Sequence, residues 1–266
     1  MEIRNIVFVG AGNLATNVAL ALHDRGYRIV QVYSRTMSSA QMLADRLEAE
    51  AVTDIRAIVA DADLYVISVK DSALQSVIGQ LCNGTRSGLF VHTAGSIPMD
   101  IFKDRAEHYG VLYPMQSFSK QRRVDFTEVP IFIESNGAES LKAIETVAKS
   151  LCDKVYTLSS EARKHLHLAA VFACNFVNHC YELSAEVLSK YKIPFDVMLP
   201  LVDETARKVH EIAPVDAQTG PAVRYDENVI SMQSGLLQTD SRLQEIYDMM
   251  SRSIHEVYLA EKKKDK

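Results

Sequence analysis

Val9-Gly10-Ala11-Gly12-Asn13-Leu14-Ala15 follows an apolar run, Ile3 to Val9, and opens a helical pattern that continues to Arg25. The spacing is G-x-G-x-x-A in a strand-turn-helix setting. Gly10 permits the tight turn, Gly12 lets backbone approach a pyrophosphate, and Ala15 allows the helix to pack closely on the strand. The first turn of the helix then offers free N–H groups and a positive dipole end to phosphates. In this context the loop points to a dinucleotide; a Gly-rich turn before an ordinary helix is the other reading.

Outward from the loop, short apolar runs alternate with helical patterns. Strands are expected at Arg28 to Tyr33, Ala51-Val52, Leu64 to Ser68, Leu89 to Thr93, Gly110 to Tyr113, Val129 to Ile133 and Lys154 to Thr157. Helices are expected at Ser38 to Glu48, Ala73 to Leu81 and Ala138 to Leu151. This rhythm of continuous apolar strands and helices predicts an α/β domain with a mostly parallel sheet covered on both faces. After Ser159 and Ser160, plausible N-caps, only helical patterns remain. One uninterrupted helix is expected from Glu161 to Tyr191, broken by Pro194, with others at Phe195 to Ile212, Glu227 to Leu237 and Ser241 to Ala260. The domain boundary therefore falls after residue 157, leaving 158–266 as an all-helical part.

Composition narrows the function classes. The 266 residues are 47% apolar and 24% charged, with 11 Gly and 7 Pro, as in globular proteins rather than disordered or collagen-like ones. A net charge of -5 and a pI near 5.9 disfavour a nucleic-acid partner. No run approaches the roughly 20 apolar residues of a membrane span, and the N-terminus enters a strand directly, so a cytoplasmic protein with no membrane partner is expected. The four cysteines, Cys82, Cys152, Cys174 and Cys180, form no C-x-x-C pair and read as free, mostly buried thiols. No H-E-x-x-H occurs, and no metal site is expected.

The end of the second strand discriminates between dinucleotides, because a carboxylate there binds the ribose hydroxyls of NAD. This chain has Tyr33-Ser34-Arg35-Thr36 instead. Ser34 and Thr36 can donate to a 2′-phosphate, and Arg35 adds charge and a flat face for adenine, so NADP is favoured. Two further strand-end loops, Ser68-Val69-Lys70-Asp71 and Thr93-Ala94-Gly95-Ser96, occupy positions where open α/β sheets bind ligands. Small residues there leave room for a nicotinamide ring. Lys70 reads equally as a solvated loop lysine.

On a wheel of about 100° per residue, Lys164, Val171, Asn175, Asn178 and Glu182 share one stripe of the long helix, with His167 and Cys174 at its edge. A polar stripe here suggests an interdomain cleft in which His167 exchanges a proton and Asn175 holds substrate. A solvated helix face is the competing reading. The loop Pro214 to Arg224 carries a tight-turn signal at Thr219-Gly220-Pro221-Ala222, with Arg224 available to an anion. It reads equally as a connector.

The chain resembles the NADP oxidoreductase superfamily that includes deazaflavin-dependent NADP oxidoreductases and pyrroline-5-carboxylate reductase. The resemblance rests on Gly10-Ala11-Gly12-Asn13-Leu14, Tyr33-Ser34-Arg35-Thr36 and Val69-Lys70. It is most similar to a bacterial group of Rossmann-like proteins whose helical C-terminal domain has no assigned function. Val91 to Ser96, Pro114-Met115-Gln116-Ser117-Phe118, His167 to Ala170 with Asn175, and Gln218 to Arg224 carry that likeness. It implies a Rossmann domain followed by a helical domain similar to the 6-phosphogluconate dehydrogenase C-terminal type. It also implies Tyr113, Gln116, Gln218, Thr219 and Arg224 near substrate. Relatives often carry His where this chain has Tyr113, and the Lys-x-x-x-Asn spacing of β-hydroxyacid dehydrogenases is absent.

Together these readings predict hydride transfer between NADP(H) and a small carbonyl or imine, with His167 and Asn175 catalytic. Gly10, Gly12, Asn13, Leu14, Ser34, Arg35, Thr36, Val69, Lys70, Thr93, Ala94 and Gly95 are the cofactor residues. A homodimer built by the helical part is expected. The alternative is a non-catalytic NADP-binding module that senses redox state.

Overall fold

The computed structural model describes residues 1–84 and 86–264. It divides into two compact units, 1–175 and 176–266.

The first unit is built on an eight-stranded sheet of order β3-β2-β1-β4-β5-β6-β7-β8. The strands are β1 (Asn5–Val9), β2 (Arg28–Tyr33), β3 (Glu50–Val52), β4 (Leu64–Ile67), β5 (Leu89–His92), β6 (Tyr109–Pro114), β7 (Ile131–Ser135) and β8 (Val155–Thr157). Every neighbouring pair is parallel except β6 and β7. Central β1 shows why the apolar runs are continuous: Ile6 and Phe8 pack into one core layer, and Val7 and Val9 into the other. Successive side chains point to opposite faces, and both faces are covered. Around the sheet lie α1 (Asn13–Asp24), α2 (Met37–Ala44), α3 (Asp71–Leu81) and α4 (Ala138–Leu151).

The order of strands reverses at β1, with β2 on one side and β4 on the other. The loops leaving the C-terminal ends of β1 and β4 meet there, at the crevice where open sheets bind ligands.

After β8, Ser159 caps α5 (Ser160–Ala170), its side chain accepting from Ala162 N–H at 3.3 Å. The single helix expected from Glu161 to Tyr191 is interrupted: Val171–Phe176 form a π turn before α6 (Val177–Ser189). Its i→i+5 bonding adds residues to the turn, so a wheel drawn at constant pitch loses register beyond Val171.

The second unit contains α6 and the elements after it. Phe195–Met198 form a 3-10 turn leading into α7 (Leu199–Glu211), where one helix was expected. The expected loop at 214–224 holds two single-turn helices, α8 (Pro214–Ala217) and α9 (Pro221–Arg224). Each starts on a proline whose fixed φ suits the first helical position and whose missing N–H costs nothing there. The chain ends with α10 (Glu227–Gly235) and α11 (Ser241–Lys264). Among the described residues no helix is long and apolar enough to cross a membrane. Cys82 and Cys152 are buried, but Cys174 and Cys180 are exposed because they lie on the solvent-facing π turn and α6.

Candidate active site

A cavity of about 450 Å³ lies over the β1 and β4 strand ends, lined by Gly10, Gly12, Ser34, Arg35, Val69 and Lys70 among others. The two glycines of the first loop stand in different surroundings. Gly10 has φ +123°, and a Cβ there would lie 2.1 Å from the Ser68 carbonyl oxygen, so the fold itself demands glycine. A Cβ on Gly12 would meet nothing within 4 Å. No atom of the protein therefore demands glycine there. Gly12 is also the N-cap of α1, with no side chain capping the helix and no acidic residue in its first turn. The open N–H groups therefore remain available to an anion.

The cavity wall fits an NADP dinucleotide. It contains the cations Arg35 and Lys70, several hydroxyls and no carboxylate. Ser39, Ser72 and Ser76 also line it, and the sequence reading missed all three. Thr36, by contrast, caps α2, donates its hydroxyl to Ser39 Oγ at 2.9 Å and is absent from the cavity wall, which Ser34 and Arg35 of that loop line. Asn13 and Leu14 begin α1 and Ala11 lines the cavity beside them.

The β5 end builds a second group. Thr93 and Ala94 are buried, their N–H groups donating to the Ile67 carbonyl and to His92 Nδ1. Gly95 faces His167: a Cβ there would lie 2.6 Å from the ring's Cγ and Nδ1. The Tyr113 hydroxyl is 3.0 Å from His167 Nδ1, with the two rings edge to face. Burial pushes the Tyr113 phenol above its ordinary pKa, so it stays protonated at neutral pH. Thus Gly95, in the loop after β5, Tyr113 of β6 and His167 of α5 lie together.

What places His167 was not foreseen. Arg163, only 1% exposed, pairs with Glu134 at 2.6 Å and donates to the Ile97 carbonyl at 2.6 Å. Ser160 donates both its N–H and its hydroxyl to Glu134, at 2.8 and 2.6 Å. Burial works to raise the Glu134 pKa, but the bonds from Ser160 and Arg163 outweigh it and hold the carboxyl below its ordinary range. A lone carboxylate in the apolar run of β7 was the available signal.

Gln116 is exposed and accepts from the Ser117 N–H. Asn175 is exposed within the π turn. In the second unit, Gln218 lines a cavity of about 660 Å³ between the α8 region and α11, and donates to the Thr219 carbonyl. Thr219 and Arg224 are exposed.

Comparison with known proteins agrees with this geometry. Residues 5–93 match the family described as NADP oxidoreductase coenzyme F420-dependent, and residues 129–254 match a domain of unknown function, DUF2520. A Bacteroides fragilis protein provisionally described as an NADP oxidoreductase is 56% identical, with 96% of this chain and 98% of that one covered and a TM-score of 0.93. The fold is shared at 15% identity with an imine reductase from Myxococcus stipitatus in complex with NADP+, covering 96% and 94% of the chains at TM-score 0.67. A pyrroline-5-carboxylate reductase from Coxiella burnetii shares it at 17% identity, with 95% and 99% covered and TM-score 0.59. No curated protein is detectably similar. Strand order, glycine loop and carboxylate-free cavity converge with these likenesses: the chain belongs to the NADP oxidoreductase family, with an F420-dependent-type cofactor domain ahead of a DUF2520 domain.

Proposed function

We propose that the protein transfers a hydride between NADP(H) and a small carbonyl or imine held beside Gly95, with His167 exchanging the accompanying proton. The observation supporting this most directly is the Tyr113–His167 contact of 3.0 Å packed against Gly95 at the end of β5. Residues 1–157 carry the cofactor in this reading, and 158–266 form the helical substrate and dimerisation part. Gly10, Gly12, Ser34, Arg35, Val69 and Lys70 would hold the adenosine and phosphate portions, and Thr93, Ala94 and Gly95 the nicotinamide end. The cofactor supplies the hydride when bound.

The protein's own task is the proton. With Nδ1 engaged by Tyr113, Nε2 is the nitrogen left for substrate. A protonated phenol can donate to a bare Nδ1 or accept from an Nδ1–H. The imidazolium form would donate Nδ1–H to the phenol oxygen and give its Nε2 proton to the substrate oxygen or nitrogen, leaving a neutral ring with the same partner. Tyr113 thus orients the ring through both charge states without itself ionising.

A second copy of the chain covers the helical part. Leu183, Ala222 and Leu243 are its buried apolar residues among those described, whereas Leu199, Leu201, Met232 and Leu236 are 46–71% exposed. So little buried apolar surface is unusual for a self-sufficient unit. Sedimentation equilibrium should give a dimer; a monomer at every concentration overturns this part.

The deciding experiment follows NADPH oxidation over a panel of carbonyls and imines, with wild type and His167→Ala. The variant should bind NADPH as wild type does and lose about 100- to 10,000-fold in turnover, the usual range for a general acid. A panel that stays silent while NADPH is demonstrably bound favours a non-catalytic NADP-binding module.

A further inference from the structure

Beside the cofactor cavity lies a smaller one of about 70 Å³, and the two share Ala11 and Ser39. Thr16, Arg46 and Lys120 also line the smaller cavity. No carboxylate lines either, and Arg35, Arg46, Lys70 and Lys120 have no ion-pair partner among the described residues. Four cations without an ion-pair partner around two adjoining cavities, in a chain of net charge -5, create a local positive field that favours an anion.

Lys120 does not come from the β2 loop. It sits on the connection between β6 and β7, and that connection is fastened to α1. Asn17, 4% exposed, donates to the Ser119 carbonyl at 3.0 Å and accepts from the Val124 N–H at 3.1 Å. Ser119 further pairs with Arg122 through an isolated antiparallel bridge. Lys120 therefore stands one residue from a fixed anchor, within a strap held at both ends.

We infer that Ser39, Arg46 and Lys120 form a phosphomonoester subsite that takes the 2′-phosphate of NADP, so that the strap shares with Arg35 the choice of NADP over NAD. The inference rests on the NADP assignment. Size suits a small anion such as a phosphoryl group: at about 70 Å³ the cavity is far smaller than the 450 Å³ cofactor cavity beside it. Position separates it from a pyrophosphate site, which the open N-terminus of α1 already provides at Gly12. The smaller cavity instead adjoins α2, whose Ser39 is tied to the β2 loop by the Thr36 hydroxyl. That is the side on which an adenosine ribose is read.

The test titrates the full chain calorimetrically with 2′,5′-ADP, 5′-AMP, NADPH, NADH and inorganic phosphate. Lys120→Ala should weaken 2′,5′-ADP and NADPH by roughly tenfold or more, as expected for a charge-assisted contact, and change 5′-AMP and NADH less than about twofold. Arg46→Ala should shift the same two ligands in the same direction, and Lys120→Arg should recover most of the loss. Equal weakening of NADPH and NADH, or no change in either, overturns the subsite while leaving the cofactor assignment intact. Failure of wild type to bind either 2′,5′-ADP or NADPH removes the cofactor assignment and the subsite together.

Discussion

Gly95→Ala is a test of the packing that holds the proposed proton site together. The added Cβ would lie 2.6 Å from His167 Cγ and Nδ1 and 2.9 Å from its Cβ. Carbon contacts are favourable only from about 3.5 Å, so the ring must retreat by roughly 1 Å. The Tyr113 hydroxyl, at 3.0 Å from Nδ1, then loses its partner within a buried setting. The backbone at Gly95 has no positive φ, so the effect is steric rather than conformational. Overpacking costs about 1–3 kcal/mol and the lost hydrogen bond about 1 kcal/mol, together roughly 2–4 kcal/mol. At about 2–4 °C per kcal/mol for a unit of this size, Tm should fall by on the order of 10 °C. His167→Ala deletes two of the three clashing atoms, so Gly95→Ala should cost at least about 1 kcal/mol less in that background. Urea denaturation of the four-member cycle measures this. Additivity within about 0.5 kcal/mol would refute the contact and, with it, the assignment of Gly95 as the floor under His167.

Two further outcomes are expected. His92 is buried, and burial, with the Arg163 charge adding to it, pushes its pKa down from 6.5 to about 4. The unfolded chain therefore takes up a proton first, and stability is lost as pH falls from about 6.5 to about 4, at up to roughly 1.4 kcal/mol per pH unit. Denaturation at stepped pH should show this slope in wild type and a shallower one in His92→Phe; identical slopes would remove His92 from the acid response. Gly12→Ala should leave stability unchanged or raise it by up to about 1 kcal/mol, since the new methyl meets no protein atom and the unfolded chain loses freedom. NADPH affinity should nevertheless drop, and an unaltered affinity would show that the helix start does not receive the phosphates.

The cofactor domain was legible because its signals are local. Arg28–Tyr33 and Ala138–Leu151 have the bounds their patterns suggested, and the glycine loop lies between a strand and a helix as its spacing required. The π turn at Val171–Phe176 was not legible, since an i→i+5 turn leaves no Pro, Gly or polar break behind. The consecutive α8 and α9 were marked by Pro214 and Pro221, which were read as turn residues rather than as helix starts. Arg163 and Glu134 could not be paired from sequence because they lie on separate elements, 29 residues apart, and only the packing of α5 on the sheet joins them. Lys120 escaped for the same reason: its position depends on Asn17, a buried amide inside α1 that reads in sequence as an ordinary helical residue.

The anchoring of α5 also explains why His167 reaches Tyr113. In the antiparallel pair of β6 and β7, Tyr113 lies opposite Phe132 and Val111 opposite Glu134. Positions two apart on β7 share a face, so Phe132 and Glu134 point the same way and Tyr113 stands on that face beside Phe132. The distance along the strands from Tyr113 to the level of Glu134 is two residues, about 6.7 Å. On α5, Arg163 and His167 are four residues apart, about 6 Å along the axis and on one side of the helix. The two spacings match, so Arg163 can grip Glu134 while His167 meets Tyr113, and neither contact strains the other. A one-residue slip of α5 would rotate the helix by about 100° and break both contacts at once. The buried ion pair thus helps to set the register of α5 on the sheet. It fixes the one ring whose orientation the proposed chemistry needs.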